Sequence, residues 1–333
     1  MLTIYLITFL VSCALFYIAG KMVVDGLIRI TKFLRFKEFV VAFFVMAFAA
    51  SLPNLVVGIS SALQGIPQLS FGDVTGNNLA ALTLAIAIVC LFAKRGVSAR
   101  GQTVRTSSLF VMASALLPLV LIFDGTLSRM DGILLIALFV FYIVWLFSKK
   151  ERFTKPYDEY RAPRKKDFGF LIYDSLKIVF GLVIFIVAAQ GIVVSAKFFA
   201  SSFDMSLILI GILITGLGSA LPEIYFDVIS ARRNENWMIL GDLMGAIIIP
   251  STLVLGIVTM IAPIHIFDFS SLALARFFIV IAAVLFPFFL RSGRKIDKRE
   301  ALILLGVYIL FLISEILLHD PLINNPNFQF LFK

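Results

Sequence analysis

Apolar runs of about twenty residues, separated by short polar loops, set the rhythm of this chain, and that is the length an α-helix needs to cross a hydrocarbon layer. Five runs lie at 2–30, 38–64, 70–93, 107–123 and 131–147, and five more at 168–200, 206–231, 238–262, 272–290 and 300–318. The pattern predicts an all-α polytopic membrane protein with ten transmembrane helices. An ungapped offset of 169 residues relates the two sets. It carries Ser51-Leu52-Pro53-Asn54 onto Ala220-Leu221-Pro222-Glu223, Gly72-Asp73-Val74-Thr75-Gly76 onto Gly241-Asp242-Leu243-Met244-Gly245, and Asp131 onto Glu300. The expected organisation is a first five-helix repeat at 1–147, a linker at 148–167 and a second five-helix repeat at 168–333. Because five is odd, the copies must enter the membrane in opposite senses. Two inverted repeats about an axis in the membrane plane set equivalent residues face to face near the midplane, as secondary transporters require.

Composition supports a membrane setting: 61% of residues are hydrophobic and 15% charged, with a mean hydropathy of +1.04. Lysine and arginine collect in alternate loops. One set holds Arg29, Lys32, Arg35 and Lys37; Lys94, Arg95, Arg100 and Arg105; Arg232 and Arg233; and Arg291, Arg294, Lys295, Lys298 and Arg299. The other loops, 64–70, 123–130, 201–204 and 262–271, contain only Arg129 among lysines and arginines. The positive-inside rule therefore places both termini outside the cytoplasm and the linker, with its eight basic and four acidic residues, inside it. The linker reads as a solvated topology signal, so the net charge of +9 does not imply nucleic acid. No organelle signal is evident, which makes the plasma membrane the expected location. Leu2 to Ala19 lacks a basic flank and a cleavage site and has a counterpart at Leu171 to Ala188, so it reads as a permanent helix. Cys13 and Cys90 lie in apolar runs and read as packing residues, while His265 and His319 fall outside the spans, which argues against a histidine-held metal. No cofactor is expected. Oligomeric state is left open, a monomer being sufficient.

The chemistry concentrates on the second and third runs of each copy. Pro53 and Pro222 sit inside apolar runs, where proline removes a hydrogen bond and frees the carbonyl four residues earlier, at Ala49 and Gly218. In lipid such a break is tolerated where the freed oxygen faces protein, water or an ion. Glu223 follows Pro222 near mid-span, where a carboxylate costs roughly 2.5–3.5 kcal/mol on insertion scales and needs a cation or proton. Asp73 and Asp242 add two acids, each after a glycine, and the Gly72/Gly76 and Gly241/Gly245 spacing lets backbones approach closely. Hard cations take several oxygen ligands, and Asn54, Ser51, Asn77, Asn78, Ser219 and Thr215 surround the three acids with neutral ones. Asp227, one turn beyond Glu223, reads as the partner of Arg232 or Arg233 at the cytoplasmic mouth ahead of a transport ligand. Asp25 can pair with Lys21 or Arg29.

At these residues the chain resembles the calcium/cation antiporter superfamily, which includes the sodium/calcium and proton/calcium exchangers. That family carries G-[ST]-S-x-P-[ED] on the second helix and G-N-x-x-G-[SA]-N on the third helix of each repeat. Here the motifs stand as Ala49-Ala50-Ser51-Leu52-Pro53-Asn54 with Gly72-Asp73-Val74-Thr75-Gly76-Asn77-Asn78, and Gly218-Ser219-Ala220-Leu221-Pro222-Glu223 with Gly241-Asp242-Leu243-Met244-Gly245-Ala246-Ile247. The resemblance implies antiport of inorganic cations across the bilayer, calcium or another divalent cation against Na+ or H+, at a site of Glu223, Asp242, Asp73, Asn54, Ser51, Ser219 and Asn77. The site departs from the pattern. Asn54 replaces the first acid, and Ala81 and Pro250 stand where the family completes its ion cage, while aspartate replaces the first asparagine of both third-helix motifs. The identity of the ions therefore stays open. Two other readings compete. A scaffold or sensor could keep the fold without transport, and Asp242 with Tyr173-Asp174 evokes an intramembrane aspartyl protease, although the G-x-G-D and P-A-L motifs are incomplete.

Overall fold

The computed structural model describes residues 1–33, 47–93, 96–99, 102–148, 168–232, 236–266, 270–293 and 295–318. The helices are α1 (Leu2–Phe33), α2 (Leu52–Leu63), α3 (Gln68–Phe92), α4 (Gln102–Leu121), α5 (Arg129–Ser148), α6 (Phe168–Phe203), α7 (Leu207–Arg232), α8 (236–261), α9 (Ser270–Ser292) and α10 (Lys298–Leu318). Among the described residues, eight helices are long and apolar enough to cross a membrane. In the run predicted at 38–64, residues 38–46 lie outside the described ones, and the rest forms a short helical piece, Ala47–Ala50, and α2, parted at Ser51. The linker at 148–167 lies almost wholly outside them too.

The 169-residue register extends to local detail. Proline interrupts α4 at Pro118 and α9 at Pro287. Wide π turns occupy Ala81–Ala85 in α3 and Ile249–Val254 in α8. In each, a threonine hydroxyl, on Thr83 or Thr252, donates to the carbonyl four residues back, at Leu79 or Ile248. Helices α5 and α10 start on the same device. The Asp131 carboxylate accepts from the Ser128 amide at 2.8 Å, and the Glu300 carboxylate accepts from the Asp297 amide at 2.9 Å. These are reciprocal caps that satisfy amides a helix start leaves unpaired.

One departure from an all-α chain sits in the loops, where four two-residue strands pair antiparallel. Strand β1 (Val97–Ser98) pairs with β4 (Lys295–Ile296), and β2 (Thr126–Leu127) with β3 (Ile264–His265). The first pair joins two lysine- and arginine-rich loops; the second joins two loops poor in charge. Gly96 enters β1 at a φ of 74°, and a methyl there would strike the Ile296 carbonyl, so the turn requires glycine.

Buried apolar side chains form two clusters. The smaller joins α1 and α6 through Phe16, Ala19, Phe185 and Ile192 and touches α2 at Val57. The larger binds α3 to α5 and α7 to α10, with Leu79, Leu82, Tyr142, Leu243 and Phe286 among its members. Phe141, Phe180, Ile186 and Phe288 are exposed, forming apolar outer faces suited to lipid.

Between α1 and α6, Arg29 reaches Asp174 at 3.5 Å, and the aspartate is fully buried. Arg29 thus spans helices in place of serving only its neighbour Asp25, whose side chain lies outside the described ones. Truncating one partner strands a buried charge. Arg29→Met is therefore expected to lower the melting temperature of detergent-purified protein while leaving cation flux measurable. An unchanged melting curve would show that the pair contributes no stability.

Candidate cation site

The site is built where α2, α3 and α7 meet the α1–α6 pair. Helix α3 approaches α7 closely because its contact face is glycine. Methyl groups at Gly72 and Gly76 would run into backbone atoms of Ile208, Gly211 and Ile212. That approach seats Asp73 beside a π turn at Gly211–Thr215. Ser219 Oγ lies 3.4 Å from Asp73 Oδ1 and also donates to the Gly216 carbonyl at 3.0 Å, while the Thr215 hydroxyl donates to the Gly211 carbonyl at 3.1 Å. The other carboxylate oxygen, Oδ2, is buried without a partner.

A cavity of ≈ 20 Å³ opens against the smaller apolar cluster, room for a water or an unhydrated cation. Its polar wall is Asn54, Asp73, Thr215 and Ser219; Phe9, Phe16 and Ile192 close the α1–α6 side. Pro53 and Gly218 line it too. Neither amide atom of Asn54 has a hydrogen-bond partner, although the residue is only 1% exposed.

Glu223 and Asp242 are buried on α7 and α8. Glu223 lies within electrostatic reach of Asp242 and Asp73, and its Oε1 accepts no hydrogen bond. No lysine or arginine pairs with Asp73, Glu223 or Asp242 among the described residues. Nor do any three histidine, cysteine, aspartate or glutamate side chains among those residues converge tightly enough to hold one metal ion. The acids are spread, and neutral oxygens must complete any cation's shell.

The remaining predicted residues sit close by with mixed roles. Asn77 Nδ2 donates to the Ala246 carbonyl at 3.1 Å, and Asn77 and Ala246 are themselves counterparts in the 169-residue register. Pro250 explains why that carbonyl is available. Proline has no amide to bond four residues back, whereas Ala81, its counterpart, donates to the Asn77 carbonyl. Asn78 Nδ2 donates to Ser251 Oγ at 2.7 Å. The Ser51 hydroxyl donates to its own helix at Ala47, 2.8 Å away, and does not line the cavity.

Two sequence expectations change. Asp227 makes no pair with Arg232. The arginine is exposed and lies over the Phe92 ring at 5.0 Å, while Asp227 is fully buried within electrostatic reach of Asp242 and Glu223. Arg233 lies outside the described residues. Asp174, half of the protease reading, is held by Arg29 in the α1–α6 seam.

The sequence matches the sodium/calcium exchanger protein family over residues 4–148 and 176–317, two blocks that between them take in most of the chain. It belongs to that family. Its relatives include the putative antiporter CaxA of Alkalimonas amylolytica, 27% identical over 90% of this chain and 95% of the relative. Another is the sodium/calcium exchanger MaX1 of Methanosarcina acetivorans, 22% identical over 85% of this chain and 90% of the relative. The solved sodium-calcium exchanger NCX_Mj shares the fold, with a TM-score of 0.65 at 22% identity over 94% of this chain and 99% of that one. Membership places the chain among transporters and removes the protease reading.

Proposed function

We propose that this exchanger-family chain is a secondary active antiporter that moves Ca2+ or another divalent cation against Na+ or H+ by alternating access at a midplane site. The observation that carries the reading is the set of buried acids, Asp73, Glu223 and Asp242, left without protein cations among the described residues, with Asp73 lining a small cavity. An intramembrane carboxylate in such surroundings calls for a transported charge. Asn54, Ser219 and Asn77 supply neutral oxygens, and Ser51 lies at the break before α2. The two separate apolar clusters are the bodies that would shift against each other as access alternates.

The proposed architecture is two inverted five-helix repeats, 1–147 and 168–333, joined by the cytoplasmic linker 148–167, with both termini outside the cytoplasm and the chain in the plasma membrane. Strand pairing supports the inversion. Pair β1–β4 brings the loop between the third and fourth runs of one copy to the loop between the fourth and fifth runs of the other. Copies inserted in the same sense would send those loops to opposite faces. The basic character of both loops supports the cytoplasmic assignment of that face.

The test is flux in proteoliposomes loaded with Ca2+ under an imposed Na+ or H+ gradient. Calcium movement that requires one gradient identifies the coupling ion; absence of exchange for calcium, manganese and magnesium under both gradients would favour the scaffold reading. Asp73→Asn is expected to reduce flux severely, because the two copies share one site. Wild-type flux in this variant would reduce the 169-residue relation to shared ancestry.

A further inference from the structure

The two cysteines have different surroundings. Cys90 is fully buried in α3 and its thiol donates to the Ile296 carbonyl at 3.6 Å, as a packing residue can. Cys13 is only part-buried on α1 and lines the same cavity as Asp73 and Asn54. Its sulfur stands against α7 beside the polar wall. A methyl placed on Gly218 would lie 3.9 Å from Cys13 Sγ, and the next residue, Ser219, is 3.4 Å from Asp73 Oδ1. The 169-residue register sets Cys13 on Leu182, so the second copy has no matching thiol, and Cys13 lies outside both helix motifs.

The groups that share the cavity with this sulfur call for a ligand. Asn54 is almost fully buried with neither amide atom hydrogen-bonded, and Asp73 is equally buried with Oδ2 unpartnered. Buried polar atoms left in that condition are costly. The two hydroxyls on the same wall, of Thr215 and Ser219, already donate to carbonyls of their own helix. The wall is therefore short of oxygens for calcium, which takes six to eight. Zinc-like ions take four ligands, accept sulfur, and are often held by three protein groups with a water in the fourth place. One thiol, one carboxylate and one amide oxygen make such a set. It contains two side chains of the histidine, cysteine, aspartate and glutamate class, in keeping with the lack of any group of three among the described residues.

We infer that Cys13 supplies a sulfur ligand, with Asp73 and Asn54, to a thiophilic divalent cation of the zinc class in this cavity. The inference rests on the antiport reading and names the class of divalent ion that the site favours. As the metal–sulfur bond forms, the thiol proton passes to water.

Cadmium is the probe, because a cadmium–thiolate bond adds an ultraviolet charge-transfer band that oxygen ligands do not give. It is titrated into detergent-purified wild type, Cys13→Ser and Cys90→Ala, and offered as cargo beside calcium in proteoliposomes. The expected result is a band that saturates at one cadmium per molecule in wild type and Cys90→Ala and is missing in Cys13→Ser. Outer-shell partners alone are worth roughly 10–100-fold in metal affinity, so loss of a direct ligand should weaken cadmium binding by about a hundredfold. Calcium binding should hold, since serine still offers an oxygen. A band that survives in Cys13→Ser, equal cadmium affinity in wild type and Cys13→Ser, or a band lost in Cys90→Ala would each overturn the sulfur ligand. If Cys13→Ser does not yield a monodisperse protein, Cys13→Ala takes its place with the same deciding spectra. The antiport reading fails separately: wild type would then show the band yet exchange no cation under either gradient, whereas calcium exchange without a band removes the sulfur ligand alone.

Discussion

Glu223→Gln should leave a folded protein that exchanges no measurable cation. Glutamine keeps the size and hydrogen-bonding atoms of the side chain and removes its charge. A unit charge about 4 Å from a monovalent ion, at an effective dielectric near 20, is worth about 4 kcal/mol, or roughly three orders of magnitude in affinity. The fold should tolerate the change, because the Glu223 carboxylate is buried with Oε1 unpartnered and near two other acids. Deleting its charge removes repulsion and desolvation together. Thermal melting then separates folding from binding. A cation that binds only the folded protein stabilises it by about 2.7 kcal/mol at a hundred times its dissociation constant. Wild type should therefore melt higher as the transported cation is added, and Glu223→Gln should not. Asp242→Asn should behave alike. Full exchange with an intact cation-dependent melting shift in Glu223→Gln would remove this carboxylate from the site.

Much of this was legible in the sequence, for physical reasons that can be traced. Acids in apolar runs are costly, so Asp73, Glu223 and Asp242 stood out, and all three are buried on neighbouring helices. The register at 169 residues foretold paired features as fine as the π turns at Ala81–Ala85 and Ile249–Val254 in position, but not in kind. A π turn leaves no mark in hydropathy, and only Pro250, lacking an amide, hinted at one. Its consequence, a carbonyl at Ala246 free to accept from Asn77, needed the fold.

Asp227 and Arg232 fail to pair for a specific reason. Sequence proximity favoured Arg232, yet five residues is about 140° around a helix, which points the arginine to the surface over Phe92. Four residues back lies Glu223, on the same face. Helical phase was available from the sequence and outweighs closeness of charge. Asp174 shows the opposite limit, since nothing in the sequence pairs it with Arg29, 145 residues away.

Gly72→Ala is expected to be nearly as damaging as losing the carboxylate, by a different route. The added methyl would meet the Ile208 carbonyl and lie 2.9 Å from the Gly211 Cα. These are backbone atoms, so no rotamer change relieves the overlap and α3 must move away from α7. Overpacking of this kind costs about 1–3 kcal/mol or more in well-packed cores. Here it also draws Asp73 away from Thr215 and Ser219, because Asp73 is the next residue. Small residues let membrane helices meet where no hydrophobic force drives them together, so the loss should appear as reduced monodisperse yield and a lower melting temperature, with exchange impaired in what survives. Gly20→Ala is the control. The same methyl on α1 would lie 3.8 Å from Phe185, an ordinary contact, and should change neither yield nor flux. Equal behaviour of the two variants would mean that the close approach of α3 and α7 does not set the geometry at Asp73.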